Sequence, residues 1–215
     1  MLFRDRLDAA TRLAARLSAY CGKNPLVLAI PRGAVPMAKL IADELGGEVD
    51  VVLVRKIGAP GNPEFAIGAV DESGSFFVTQ DAVFTGAGED YIEQEKQSQL
   101  EIMRQRRAQY TPLRAPIDPA GRIVIVVDDG LATGSTMIAA LRALRTRNPA
   151  KLICAVPVSP PDTLEKVGLY ADEVVCMHAT HDFFAVGQFY ADFPQVSDEE
   201  VMAILRESVG TNKPV

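Results

Sequence analysis

The run IVIVV, Ile123 to Val127, is an unbroken block of β-branched side chains that stops directly at Asp128 and Asp129. A strand that is apolar at every position, rather than at every second one, has to be covered on both faces. This excludes a one-sided antiparallel sheet for that part of the chain and predicts a parallel sheet between layers of helix. Four other stretches suit the same sheet: 26–30, 49–54, 151–156 and 173–177. Between them, VPMAKLIADEL (35–45), 135–146 and 161–168 carry helical patterning, so the chain reads as strand–helix–strand crossovers. The expected fold class is therefore α/β, a central parallel sheet flanked by helices.

The remaining segments read less regularly. Residues 3–20 place Phe3, Leu7, Ala10, Leu13, Ala14 and Leu17 on one helical stripe. Residues 58–75 are rich in glycine and proline, with FAIGAV as the one candidate strand, and read as a lid or hairpin. Residues 89–108 read as a mostly solvated helix of Glu, Gln and Arg with Ile92, Leu100 and Met103 as its candidate contacts, and 111–121 as a proline-rich connector. A last helix, 197–208, has Ser197 and Glu200 spaced as a capping box, and the end of the chain reads as a frayed tail.

With 215 residues, 48% of them hydrophobic, one domain over 1–208 is expected, with a lid at about 58–88, a helical insertion at about 89–110, a hood segment at about 178–196 and a tail at 209–215. A net charge of -6 argues against a nucleic-acid partner, and the absence of a long apolar run or secretory leader against a membrane one, so a cytoplasmic protein is expected. Cys154 and Cys176 sit in apolar runs as small core residues, and three cysteines do not make a disulfide framework. His178 and His181, with Asp182 adjacent, lack a further ligand at zinc spacing. Arg104, Arg106, Arg107 and Arg114 form the one basic cluster and read as a solvated face.

Ligands of open α/β sheets collect beyond the carboxyl ends of the strands, which is where Asp128 and Asp129 stand. After them ATGST turns the chain into a helix, whose free N–H groups and the hydroxyls of Thr133, Ser135 and Thr136 form an anion cradle, with Gly134 allowing close approach. No lysine completes a nucleoside-triphosphate loop. Acceptor-only carboxylates beside a monophosphate cradle suit the diol of a sugar phosphate, and ribose 5-phosphate fits. Adjacent acids after a strand can also merely cap the next helix, but the buried strand before them and TGST after them favour a site.

VVDDGLATGST resembles the phosphoribosyl-pyrophosphate loop of the type I phosphoribosyltransferases. The resemblance implies that fold, with a small hood and a flexible lid. It also implies ribose hydroxyls on Asp128 and Asp129, and the 5-phosphate on Ala132, Thr133, Gly134, Ser135 and Thr136. IPRGA (30–34) is similar to the family's pyrophosphate loop, where an unusual peptide is common, which makes Arg32 and Gly33 pyrophosphate-binding and Arg32 catalytic beside Asp128 and Asp129. Arg55 and Lys56, read as ending the second strand, are in the place of a basic residue that faces pyrophosphate. DFFAVGQFYADF (182–193) resembles the base-binding segment of the hypoxanthine-guanine enzymes. It implies Phe184 stacking on a base, Ala185 and Val186 hydrogen-bonding it through backbone, and magnesium held by Asp192 with Asp128 and Asp129, although there is one residue more before Asp192 than the pattern has.

Two departures narrow the substrate. Ala132 stands where oxopurine enzymes place aspartate, and LICAVPVSPP (152–161) offers no lysine to a base carbonyl. The chain as a whole resembles a bacterial group of phosphoribosyltransferases of unassigned substrate. It implies a magnesium-dependent transferase of nucleotide salvage that takes phosphoribosyl pyrophosphate and a small nitrogenous base, with a homodimer as the common family assembly. A sensor that binds without turnover, and a hydrolase that admits water, would use the same pocket. Glu64 and Glu72 are the candidate general bases.

Overall fold

The computed structural model describes residues 2–111 and 116–210, with residues 63, 64, 81, 209 and 210 described by backbone alone. Arg114, part of the connector and the tail beyond 210 lie outside these. Five strands form the expected parallel sheet: β1 (Leu26–Ala29), β2 (Glu48–Val51), β6 (Ile123–Val127), β7 (Lys151–Ser159) and β8 (Glu173–Ala179), in the order β2-β1-β6-β7-β8. Successive side chains of the inner strands enter different cores. Val27, Ala29, Ile125, Val127, Ile153 and Ala155 join one cluster with α1 (Arg6–Arg16) and α2 (Val35–Leu45). Leu26, Leu28, Val124, Val126, Leu152 and Cys154 join the other with α4 (Ser135–Arg145) and Val167 of α5 (Pro161–Gly168). Two-sided burial is thus the packing reason for the unbroken apolar runs.

The expected strand 49–54 is corrected. The chain leaves the parallel sheet after β2, and Val54 opens β3 (Val54–Ala59) of a second, antiparallel sheet with β4 (Asn62–Asp71) and β5 (Phe76–Val78). FAIGAV is the middle of that sheet, and Gly68 is obligatory there because a Cβ would stand 2.3 Å from the Phe77 carbonyl oxygen. A short 3-10 turn, Gln80–Thr85, follows and leaves Val83 and Phe84 exposed.

The long helix α3 (Glu89–Tyr110) makes contact at the expected Ile92, Leu100 and Met103. Leu100, Met103 and Tyr110 are buried, and the Tyr91 hydroxyl donates to the Gly58 carbonyl at 3.0 Å. Arg107 does not belong to a solvated face. It donates to the 1%-exposed Asp50 at 2.8 Å and to the Val51 carbonyl at 2.9 Å, and forms an ion pair with Glu72. Burial raises the cost of an unpaired guanidinium, and the two carboxylates more than offset it, raising the Arg107 pKa above its ordinary value.

The segment before α1 is tied to the segment after β8, while α6 (Asp198–Gly210) packs on α2, α3 and β2. Phe3 is not helical but bridges Tyr190 in parallel, and α1 begins at an Asp5 cap whose carboxylate accepts from the Asp8 N–H at 2.8 Å. α6 carries the expected reciprocal cap, the Glu200 N–H to Ser197 Oγ at 3.1 Å and the Ser197 N–H to Glu200 Oε2 at 2.7 Å. No helix among the described residues is long and apolar enough to cross a membrane.

Candidate active site

Asp128 and Asp129 stand immediately beyond β6, at the carboxyl edge of the parallel sheet, and both are partly exposed. Their environments differ. Asp128 Oδ1 accepts from the Asp129 N–H at 2.9 Å. Asp129 Oδ2 receives two nitrogens of Arg6, Nε and Nη2, each at 2.9 Å, while its carbonyl accepts from the Tyr190 hydroxyl at 2.7 Å. Burial, and then the charge of Asp129, push the Asp128 carboxyl well above the usual carboxylate range. Burial also pushes Asp129 upward, against which Arg6 acts.

Arg6 is the site residue that the sequence reading missed. It is 9% exposed and lies on the buried stripe with Ala9, Ala10, Leu13 and Ala14, whereas Leu7, expected on that stripe, is 49% exposed. The signal was available, because positions 6, 10, 13 and 17 share a helical face and only the first is charged. Arg6 also donates to the Pro194 carbonyl at 2.6 Å and lies 3.7 Å over the Phe193 ring.

The turn after Asp129 runs through Leu131, whose N–H donates to Val158, and through exposed Ala132 and Thr133 to Gly134 at φ 73°. Gly134 is required twice over: it adopts a left-handed conformation, and a Cβ would stand 2.9 Å from Thr163 Cγ2. Thr163 in turn donates its hydroxyl to the Ala132 carbonyl at 2.9 Å, so α5 buttresses the loop. Ser135 and Thr136 open α4 with exposed side chains, and the hydroxyls of Thr133 and Ser135 are 3.1 Å apart. The five loop residues thus lie together at one helix N-terminus, a geometry suited to a phosphate.

The peptide between Pro31 and Arg32 is cis, and Gly33 packs directly on the acid pair: a Cβ there would be 2.1 Å from Asp129 Oδ2. Arg32 itself turns to α6, donating to Asp198 Oδ2 at 3.3 Å, and Asp198 also accepts from the Tyr110 hydroxyl. Burial and that hydrogen bond push the Tyr110 phenol up to about 12.

The other expected residues are placed as follows. Arg55 and Lys56 do not end a strand of the parallel sheet; they lie within β3, where Arg55 donates to Gln99 of α3 and Lys56 is exposed. Phe184 is 89% exposed. The Phe184 and Ala185 N–H groups both donate to Gln188 Oε1, at 2.7 and 3.1 Å, so the Ala185 donor assigned to a base edge is engaged within its own loop. Val186 packs so closely that a Cβ on Gly130 would be 2.6 Å from it. Asp192 is exposed, and its N–H donates to the Arg4 carbonyl at 2.8 Å. Glu72 is held by Arg107 rather than facing a ligand, and the Glu64 side chain lies outside the described residues.

Known proteins resemble this chain. The family model of the phosphoribosyl transferase domain matches residues 3–193. Proteins from two Mycobacterium tuberculosis strains, CDC 1551 / Oshkosh and ATCC 25618 / H37Rv, provisionally named phosphoribosyl transferases, are each 43% identical over 208 residues, which is 95% of this chain and 46% of theirs. The chain therefore spans about half the length of these relatives. The crystal structure of TT1426 from Thermus thermophilus is similar with a TM-score of 0.87 and 45% identity, covering 96% of this chain and 99% of that one.

Proposed function

Since the chain belongs to the phosphoribosyl transferase domain family, we propose that it moves the 5-phosphoribosyl group of phosphoribosyl pyrophosphate to a small nitrogenous base and releases pyrophosphate. The observation that carries this reading is the partly exposed Asp128 at the end of β6, next to the Thr133–Thr136 turn at the N-terminus of α4. A carboxylate that only accepts hydrogen bonds takes the ribose hydroxyls, and the helix N-terminus takes the 5-phosphate. Together they fix the sugar so that its anomeric carbon can react, which is the larger part of what such a protein contributes.

Arg32 meets the diphosphate by exchanging Asp198 for phosphate oxygens, where its charge stabilises the leaving group. Among the described residues no three His, Cys, Asp or Glu side chains gather to hold a metal. Magnesium nonetheless fits, because it commonly takes one or two carboxylates together with substrate phosphates. Asp128 would hold it in this protein; Asp129 is engaged by Arg6, and Asp192 is the remaining candidate. When bound, it would neutralise diphosphate charge. The antiparallel sheet with the exposed Val83 and Phe84 serves as the lid that excludes water from an oxocarbenium-like transition state, and exposed Phe184 offers its face to the base.

Pyrophosphate release from phosphoribosyl pyrophosphate and magnesium, assayed across a panel of purine, pyrimidine and pyridine bases, tests the proposal. Base-dependent release is the expected outcome. Saturable uptake with no release would make the protein a sensor, and release without any base a hydrolase.

A further inference from the structure

A guanidinium on the buried stripe of a helix otherwise lined by alanine and leucine is costly unless its charge is put to use. Arg6 has its donors directed at two places, Asp129 Oδ2 through Nε and Nη2 at 2.9 Å and the Pro194 carbonyl through Nη1 at 2.6 Å, and its plane lies on Phe193. Each contact belongs to a different part of the site. Asp129 follows β6, Pro194 and Phe193 belong to the segment after β8, and a Cβ on Gly33 of the 30–34 turn would come within 2.1 Å of Asp129 Oδ2 and 3.1 Å of Arg6 Nη2. Tyr190, stacked on Phe193 with centroids 4.7 Å apart, closes the circuit by donating to the Asp129 carbonyl.

Resting on the phosphoribosyl reading above, we propose that Arg6 is a positioning residue. Its ion pair with Asp129 locks the ribose acids, the Gly33 turn and the 190–194 segment into one rigid unit, so that sugar and diphosphate are received by a single preorganised surface. A role confined to folding would alter stability alone. A positioning role alters the uptake of two chemically different ligands that Arg6 itself need not touch. Lysine keeps the charge but cannot reproduce the planar fork that reaches Asp129, Pro194 and Phe193 together.

Calorimetric titration of the full chain with ribose 5-phosphate and, separately, with inorganic pyrophosphate and magnesium, reads this directly. Arg6→Gln is expected to weaken both ligands by about tenfold or more, the size of a lost hydrogen bond to a charged group, and Arg6→Lys to recover part of the loss. Asp129→Asn is expected to weaken the same two ligands, with little further loss on adding Arg6→Gln, because the two side chains act as one unit. Arg12→Gln, on the exposed side of the same helix, changes neither. If Arg6→Gln lowers the melting temperature yet leaves both affinities within about twofold, or if the Arg6 and Asp129 losses simply add, the proposal is overturned. Should Arg6→Gln not fold, Arg6→Lys and Asp129→Asn decide alone: unchanged uptake in both overturns it. Wild-type protein that takes up neither ligand would instead remove the phosphoribosyl reading itself, a result distinct from any of these.

Discussion

Burial acts in the same direction on two adjacent carboxyls, and Arg6 opposes it at both by its charge but hydrogen-bonds only Asp129. Asp128 therefore carries its charge against both desolvation and the neighbouring anion. A carboxyl whose folded pKa is raised binds its proton more tightly in the native state, so stability declines as pH rises from the ordinary carboxylate value through the raised one. Asp128→Asn is accordingly expected to raise the melting temperature at neutral pH and to abolish ribose 5-phosphate uptake. The stabilisation should fade as pH falls from the raised value to the ordinary carboxylate value, and equal or lower melting temperatures at neutral pH would contradict the assignment. Gly33→Ala puts a methyl group into Asp129 and should cost about 1–3 kcal/mol in urea unfolding, as overpacking does. Much of this scale was legible in the sequence: DD after a β-branched run, TGST after DD, and the turn IPRGA all lie at the sheet edge. The pairing of Arg6 with Asp129 was not, since 123 positions separate the partners and no local pattern joins them.

At the scale of elements, α3 and the antiparallel sheet are fastened to the parallel sheet through Arg107, which bridges Asp50 of β2 to Glu72 at the β4–β5 turn. Arg107→Met removes one charged partner of the buried Asp50 carboxylate, which keeps the Val51 and Ile117 N–H donors, and should destabilise the chain by about 1.5–3 kcal/mol, seen as a lower urea midpoint. A change below about 1 kcal/mol would mean that the pair is ordinary surface charge. The parallel strands could be read from sequence because burial on two faces leaves an unmistakable apolar run. Of the antiparallel sheet only its FAIGAV strand could. Its β5 is three residues long, β4 is interrupted by Gly68, and its burial comes from α3 and α4 packing on it rather than from its own periodicity. The apolar anchors of α3 were legible as well, whereas its buried Arg107 was not, because a charged side chain carries no signal of burial.

The whole molecule is two sheets of unequal permanence. The parallel one is clad on both faces by a continuous apolar core, while the antiparallel one ends in the half-exposed strand β5 and leaves Phe65 and Phe76 partly bare. Amide hydrogen exchange should therefore be slowest in β6 and β7 and faster by orders of magnitude in β5, and uniform protection would contradict a movable antiparallel layer. The helix α4 packs on both sheets: its first turn is the proposed phosphate cradle, and further along Arg142 lies 3.5 Å over Phe77 of β5. One rod thus joins the proposed seat of the sugar phosphate at its tip to the outer layer along its flank. A swing of that layer, as the proposed lid requires, would be levered against the piece proposed to grip the sugar, which would gear grip and enclosure to each other.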